Sequence, residues 1–260
     1  MENRLDIAIK EKYGYSREYT KDIILKGYAF VNNKNIKKPS YKVTDNDIIT
    51  LDEKAKPKYV SRGGFKLEKA LKCFNISLVD KICIDIGAST GGFSDCMLQN
   101  SAKKIYSIDV GTNQLNDKIL NNSKVVSIEN MDIRDYQPEQ KADFISVDVS
   151  FISLKKIIDK INTLLNENGT LVMLIKPQFE VGRENIDKNG IVKNKNIHIK
   201  ILQDITEFCK EQNLFIKGLT YSPIRGGKGN IEYLMYLNKY KCDTILSFKQ
   251  VVFEAFEKLK

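Results

Sequence analysis

The sequence predicts an α/β protein: a Rossmann-like, mostly parallel sheet with helices on both faces, preceded by a small α+β unit. Three observations carry this. Apolar, β-branched runs recur at 82–85, Lys104–Ile108, Val125–Ile128 and 141–148, and again at 170–175. The first run breaks at Asp85, Ile86, Gly87, Ala88, Ser89, Thr90, Gly91, Gly92 and Phe93 into a glycine-rich turn, and a helical pattern (Phe93, Met97, Leu98) follows. Each run ends at or shortly before a charged residue: Asp85, Asp109, Asp132, Asp148 and Lys176.

The turn raises the question of its ligand. Glycine carries no Cβ, so backbone there approaches a ligand closely. A dinucleotide fingerprint wants glycines at its first, third and sixth positions. Here these are Gly87, Ser89 and Gly92, so the middle one fails. Alone, the turn fits a nucleotide, a methyl donor or a structural bend. Asp109, about 20 residues beyond the turn, fits contact with a ribose hydroxyl. Asp132 follows the third run. Acids after three successive strands (Asp85, Asp109, Asp132) fit an adenosyl ligand that lacks a pyrophosphate, S-adenosylmethionine.

Composition bounds the rest. With 260 residues, one or two domains are expected. A net charge of +9 favours a polyanionic partner, nucleic acid or an anionic membrane surface. The five cysteines show neither metal spacing nor a pairing pattern, which fits a reducing cytosol. No apolar leader opens the chain, and no apolar run approaches the ~20 residues of a membrane helix. A cytoplasmic protein without metal is expected. The one histidine, His198, reads as a surface or packing residue, which argues against histidine-centred catalysis and zinc chemistry.

Residues 1–53 form a unit of their own. Leu5, Ala8 and Ile9 recur at helical spacing, and Ser16 caps a second helix over 17–26, which Gly27 stops. Short strands follow at Ala29–Val31 and within 43–51. Residues 1–44 hold ten Lys or Arg against five Asp or Glu. Residues 54–60, charged and containing Pro57, read as a linker, and 61–260 as the second domain.

That second domain opens with Ser61-Arg62-Gly63-Gly64-Phe65-Lys66-Leu67, where Ser61 or Gly64 caps a helix. Lys66 stands in its first turn, the wrong end for a cation in the helix dipole. Asp148 ends the fourth run and Lys176 the fifth, at strand ends where open α/β sheets bind ligands. Residues 181–196 read as a polar loop over the site, and 197–211 as a helix. Strand Phe215–Tyr221, a basic turn over 225–230, a last strand over 231–237 with Glu232 near its start, and a closing helix over 248–259 complete the chain. Lys66, Asp148, Lys176 and Glu232 lie far apart in sequence, yet each stands at an element end that could line one cleft. Two lysines and two carboxylates supply an amine base without metal or histidine, because a lysine beside a second cation loses its proton more readily. Lys176 ends the more apolar strand and is the expected base for a ribose 2′-hydroxyl.

Two resemblances add to this. Arg4-Leu5-Asp6, Ser16-Arg17, the stretch 24–32, Lys38-Pro39-Ser40 and Asp47-Ile48-Ile49 resemble the alpha-L RNA-binding domain first described in a ribosomal small-subunit protein. That resemblance implies RNA phosphate contacts by Arg4, Arg17, Lys21 and Lys26. The motifs at 61–67, 85–93, 148–154 (Asp-Val-Ser-Phe-Ile-Ser-Leu), 175–182 (Ile-Lys-Pro-Gln-Phe-Glu-Val-Gly) and 229–233 (Gly-Asn-Ile-Glu-Tyr) resemble the TlyA family of FtsJ-like ribose 2′-O-methyltransferases and their Lys-Asp-Lys-Glu tetrad. This implies a class I methyltransferase with a seven-stranded sheet and S-adenosylmethionine-dependent 2′-O-methylation of ribosomal RNA, free or in ribosomal subunits. It also implies donor binding by the 85–93 turn, Asp109 and Asp132. Some TlyA-like proteins are called haemolysins, so membrane lysis is one alternative, and RNA binding without catalysis is another.

Overall fold

The computed structural model describes residues 2–15, 17–241 and 246–259. Ser16, the expected helix cap, and Cys242 lie outside the described residues. The chain divides into two compact units, residues 1–58 and 59–260. Ala55 is buried in the core of the first and Tyr59 in the core of the second, so the stretch expected as a linker is shared between them.

In the first unit, β1 (Asn3–Arg4) leads into α1 (Leu5–Tyr13), and α2 (Arg17–Leu25) follows. A hairpin of β2 (Ala29–Val31) and β3 (Lys34–Asn35) turns on Asn32 and Asn33, which tolerate φ of 49° and 66°. Then come β4 (Lys42–Val43), paired with β1, and β5 (Ile49–Leu51), paired with β2. Leu5, Ile9, Ile23, Ile24, Val31 and Ile49 close the core; their apolar spacing makes one face of each element inward.

The second unit runs α3 (Gly63–Cys73), β6 (Ile82–Ile86), α4 (Gly92–Gln99), β7 (Lys104–Ile108), α5 (Asp117–Leu120), β8 (Val125–Ile128), β9 (Ala142–Val147), α6 (Ile158–Leu164), β10 (Leu165–Ile175), α7 (Lys195–Glu211), β11 (Phe215–Tyr221), β12 (Tyr233–Asn238) and α8 (Phe248–Lys258). The seven strands form one sheet in the order β11-β12-β10-β9-β6-β7-β8, with β12 antiparallel to both its neighbours and the other pairs parallel. Alternate strand residues feed opposite faces. Ile84, Ile86, Ile145 and Met173 pack under α6, α7 and α8; Cys83, Phe144, Val172 and Leu174 pack under α3 and α4.

Three details depart from the sequence reading. Strand β10 begins at Leu165, five residues before the apolar run: Leu165 pairs with Ala142, and the register breaks before Thr170 pairs with Phe144. The polar residues between stay attached because Asn166 Nδ2 donates to Asp143 at 2.9 Å. Strand β12 starts at Tyr233, so Glu232 stands just ahead of it. Helix α3 begins at Gly63 with Arg62 at the cap position and no side-chain cap bond, rather than being capped by Ser61 or Gly64.

Candidate active site

Strand β6 sends the chain to β7 on one side, while β9 leads to β10 on the other. The crevice at that switch point lies outside the carboxyl ends of β6 and β9. Gly87 and Asp148 meet there: the Asp148 amide donates to the Ile86 carbonyl at 2.9 Å. Lys176 follows β10, the next strand over. Because β12 is antiparallel and Ile175 pairs with Tyr233, Glu232 reaches the same edge from the other direction. Lys66 arrives from the first turn of α3, which packs against α4 and β12.

These four side chains form one chain of charge. Lys66 Nζ lies 2.7 Å from Glu232 Oε2 and 3.9 Å from Asp148 Oδ2. Lys176 Nζ lies 2.6 Å from Asp148 Oδ1 and donates to Ser150 Oγ at 2.8 Å. The contact with Oδ1 is an ion pair without a directed hydrogen bond, so Ser150 receives the directed N–H. Glu232 is 2% exposed, and both lysines are buried. The cation that opposes the α3 dipole is thus held by a buried carboxylate. Gly226 is the seat for Glu232: a Cβ there would collide with Oε1.

Two cavities meet at this group. One, of about 310 Å³, is polar and lined by Ser61, Arg62, Lys66, Thr90, Lys176 and Arg225 among others. The second, of about 500 Å³, has apolar walls (Ile108, Met131, Ile133, Val149, Ile157) with Asp109, Gln114 and Asp132 at its polar side. Gly87, Ser89, Asp148 and Ser150 line both. Ala88, Thr90, Gly92 and Phe93 face the polar cavity, whereas Gly91 packs toward Leu115 and Ile119. Val110 and Phe151, 69% and 91% exposed, stand at the rim of the apolar cavity.

The three acids occupy different places. Asp109 braces the turn, accepting from the Ser89 amide at 2.8 Å and the Gly111 amide at 2.7 Å. Asp132 is chelated by Arg134, whose side chain holds its carboxyl below the usual carboxylate range. Asp85 lines neither cavity. It is fully buried beneath the turn, accepting from Ser94 of α4 at 2.6 Å and Ser146 of β9 at 2.9 Å. Burial pushes its pKa up to about 6, against the two serine bonds, which lower it. The folded state therefore binds this proton more tightly than an unfolded aspartate near 3.9. Stability from this group is present at pH 4 and is lost as pH rises through about 6. Asp85→Asn should remove that slope. In urea titrations, variant minus wild-type stability should climb by about 2 kcal/mol between pH 4 and 7. A difference flat with pH would show that Asp85 stays ionised throughout.

His198 is wholly buried, a packing residue and not a surface one. Its ring nitrogens contact Tyr233 Oη at 2.8 Å and the Val192 carbonyl at 2.9 Å, and burial lowers its pKa. With Asn230, which binds Val192 N and the Gly190 carbonyl, it fastens the 181–196 segment beside Glu232. No described residue of that segment lines either cavity, so it braces the site rather than covering it. In the first unit, buried Asp6 gathers Arg4 at 2.9 Å and Arg17 at 3.8 Å, with Lys21 close enough to act on its charge; Lys26 pairs with Asp22 instead. Among the described residues no His, Cys, Asp or Glu cluster could hold a metal ion, and no helix is long and apolar enough to cross a membrane. The sequence pattern gives no site role to Ser150, Phe151, Arg62, Arg225 or Gly226, although Ser150 and Phe151 stand two and three residues after Asp148 in the same motif.

A seven-stranded sheet with one antiparallel insertion and a glycine turn at its switch point defines a class I methyltransferase fold. The FtsJ-like methyltransferase model matches residues 59–239. A Bacillus subtilis (strain 168) protein provisionally named rRNA methyltransferase YqxC is 44% identical, over 90% of this chain and 85% of its own. Hemolysin A of Brachyspira hyodysenteriae is 45% identical over 90% and 98%. The 23S rRNA (cytidine-2'-O)-methyltransferase TlyA of Campylobacter jejuni is 34% identical over 91% and 99%. A solved Streptococcus thermophilus structure, provisionally described as a hemolysin, superposes with a TM-score of 0.77 at 43% identity, covering 99% of this chain and 96% of that one. The chain belongs to the FtsJ-like methyltransferases, among the relatives named TlyA and hemolysin A. Its N-terminal unit is similar to small ribosomal subunit protein uS4A of Clostridium botulinum, 39% identical over 57 residues, 22% of this chain and 28% of that protein.

Proposed function

We propose that this chain transfers a methyl group from S-adenosylmethionine to a ribose 2′-oxygen of ribosomal RNA, free or in ribosomal subunits, in the cytoplasm. The observation that carries the reading is the Lys66–Glu232 and Lys176–Asp148 pairing at the seam of two cavities, one apolar and one cationic. The donor fits the pair. Apolar walls with Asp109 and Asp132 match a nucleoside, and the polar cavity beside the glycine turn takes the amino-acid moiety. S-adenosylmethionine, when bound, supplies a methyl carbon activated by its sulfonium.

The chain's own residues do the rest. The Lys176 amine takes the 2′-hydroxyl proton, held in place by Asp148 and Ser150. Lys66, fixed by Glu232, approaches Asp148 from the other carboxylate oxygen. The remaining contribution is alignment of the ribose oxygen. Arg4, Arg17, Lys21 and Lys26 bind RNA phosphates, which position rather than specify.

Phe151 fits a nucleic-acid substrate. A bulky residue at φ 64° is costly, yet here it presents a 91% exposed ring at the cavity rim against Phe179, with centroids 5.0 Å apart. Stacking on one base is worth about 1–3 kcal/mol. Phe151→Ala should lower kcat/KM for RNA by about ten-fold or more, with a smaller change in donor affinity because the ring only rims the apolar cavity. Equal kcat/KM would remove the base platform from the reading.

The deciding experiment is methyl transfer from labelled S-adenosylmethionine to purified ribosomal subunits and naked rRNA. Label on a ribose 2′-oxygen supports the reading. Donor binding with no RNA labelled favours an RNA-binding role without catalysis. No donor binding ends the methyltransferase reading and makes vesicle lysis the next assay.

A further inference from the structure

The loops after β9 and β10 carry Asp148 and Lys176, and they are joined by a ladder of contacts. Its first rungs are the Lys176–Asp148 ion pair at 2.6 Å and the Lys176 bond to Ser150 at 2.8 Å. Its middle is the Phe151–Phe179 ring contact. Its far end is Glu180, which lines neither cavity. Glu180 Oε2 accepts from Ser153 Oγ at 2.6 Å, and Oε1 accepts from the Leu154 amide at 2.9 Å. No ion pair to Glu180 is found among the described residues, although burial raises its pKa. Both carboxylate oxygens are thus engaged with the opposite loop.

Glu180 is also tied rigidly to Lys176. The Phe179 amide donates to the Lys176 carbonyl at 2.9 Å and the Glu180 amide to the Pro177 carbonyl at 3.1 Å. Pro177, with its fixed φ, lies between them. A single tight turn therefore spans from the amine-bearing residue to the carboxylate that grips the Asp148 loop. If the grip is released, the ion pair, the Ser150 bond and the ring contact remain between the two loops.

We propose that Glu180 is a positioning residue that sets the Lys176 amine against Asp148 and Ser150. The proposal rests on the reading of Lys176 as the base. It acts through hydrogen-bond geometry, not charge, so the isosteric amide should replace it. In Glu180→Gln the amide oxygen accepts from Leu154 N and the amide nitrogen donates to the serine oxygen. Glu180→Ala loses both bonds.

The test compares the full-length wild type with Glu180→Ala, Glu180→Gln and Ser153→Ala. A displacement of about one ångström at a reacting group costs about 100-fold. Glu180→Ala should lose kcat on that scale, with KM for S-adenosylmethionine and for ribosomal subunits within about three-fold of wild type. Glu180→Gln should keep kcat within about three-fold. Ser153→Ala, which leaves the Leu154 bond, should fall between them. A crystal structure of Glu180→Ala should show Lys176 Nζ displaced from its 2.6 Å contact with Asp148. Wild-type kcat in Glu180→Ala overturns the proposal. So does equal loss in the alanine and glutamine variants, which makes charge the cause, or a rise in KM with kcat intact. If Glu180→Ala does not fold, an unchanged kcat and unmoved Lys176 in Ser153→Ala overturn it. If the wild type itself labels no RNA, the reading of the reaction fails. The position of Lys176 in the variant structures then decides the positioning claim by itself.

Discussion

Lys176→Ala is expected to reduce 2′-O-methyl transfer by about 1,000-fold or more, at the upper part of the range for loss of a general base. Donor affinity should stay within about three-fold of wild type, because the apolar cavity that fits a nucleoside does not include Lys176. Lys176→Arg should be equally inactive: a guanidinium cannot shed its proton at neutral pH. Among the described residues, the alanine variant leaves the Asp148 carboxylate with the 3.9 Å contact to Lys66 as its ion pair. Removing one partner of a buried pair costs about 3–5 kcal/mol, so melting should be followed in parallel. The measurement is the single-turnover rate on ribosomal subunits at saturating donor. A rate within about ten-fold of wild type would move the base to Lys66, the one other amine in the group.

Much of the fold was legible because the parallel strands are buried on both faces. Such strands appear as unbroken apolar runs. The inner strands β6, β7 and β9 show this; the half-buried edge strands β8 and β11, the latter antiparallel, follow from their β-branched and aromatic residues instead. Where a strand carries polar residues, the signal fails: residues 166–169 belong to β10 only through Leu165 pairing and the Asn166–Asp143 bond. Strand periodicity also assigns faces. In β6, Cys83 packs on the α4 side, so Asp85, two residues on, points there too, under the turn and away from the cavities. The four charged groups were traceable because each ends an element at one sheet edge. Their pairing was not, since Lys66 and Glu232 are 166 residues apart and meet only through the antiparallel placement of β12. For Gly226, Ser150 and Glu180 the roles lie in contacts across loops, which periodicity does not encode. His198 illustrates the same limit. A polar residue in an apolar helix pattern gives no sign that Tyr233 and Val192 enclose it.

Gly87→Ala should be the most damaging single methyl group in the chain. Its φ is 79°, where an L-residue pays about 1–2 kcal/mol. The new Cβ would also lie 2.5 Å from the Asp148 carbonyl oxygen. Neither partner can yield easily. The Gly87 amide is bonded to the Ile108 carbonyl and the Asp148 amide to the Ile86 carbonyl, both at 2.9 Å. The clash must therefore push apart the ends of β6 and β9, where the two cavities and the lysine pair share Asp148. The expected loss is about 3–4 kcal/mol in urea unfolding, near the upper end for one substitution. Donor affinity should fall about 100-fold, because Gly87 lines both cavities. Gly190→Ala separates strain from collision. Its φ is 81°, but the nearest atoms to its Cβ are the flexible end of Lys228 at 3.4 Å. That variant should cost about 1 kcal/mol and bind donor normally. If Gly87→Ala binds S-adenosylmethionine like Gly190→Ala, the turn is a structural bend and not the cradle of the donor. If the two differ as expected, the close approach of two strand ends is what obliges glycine at this position.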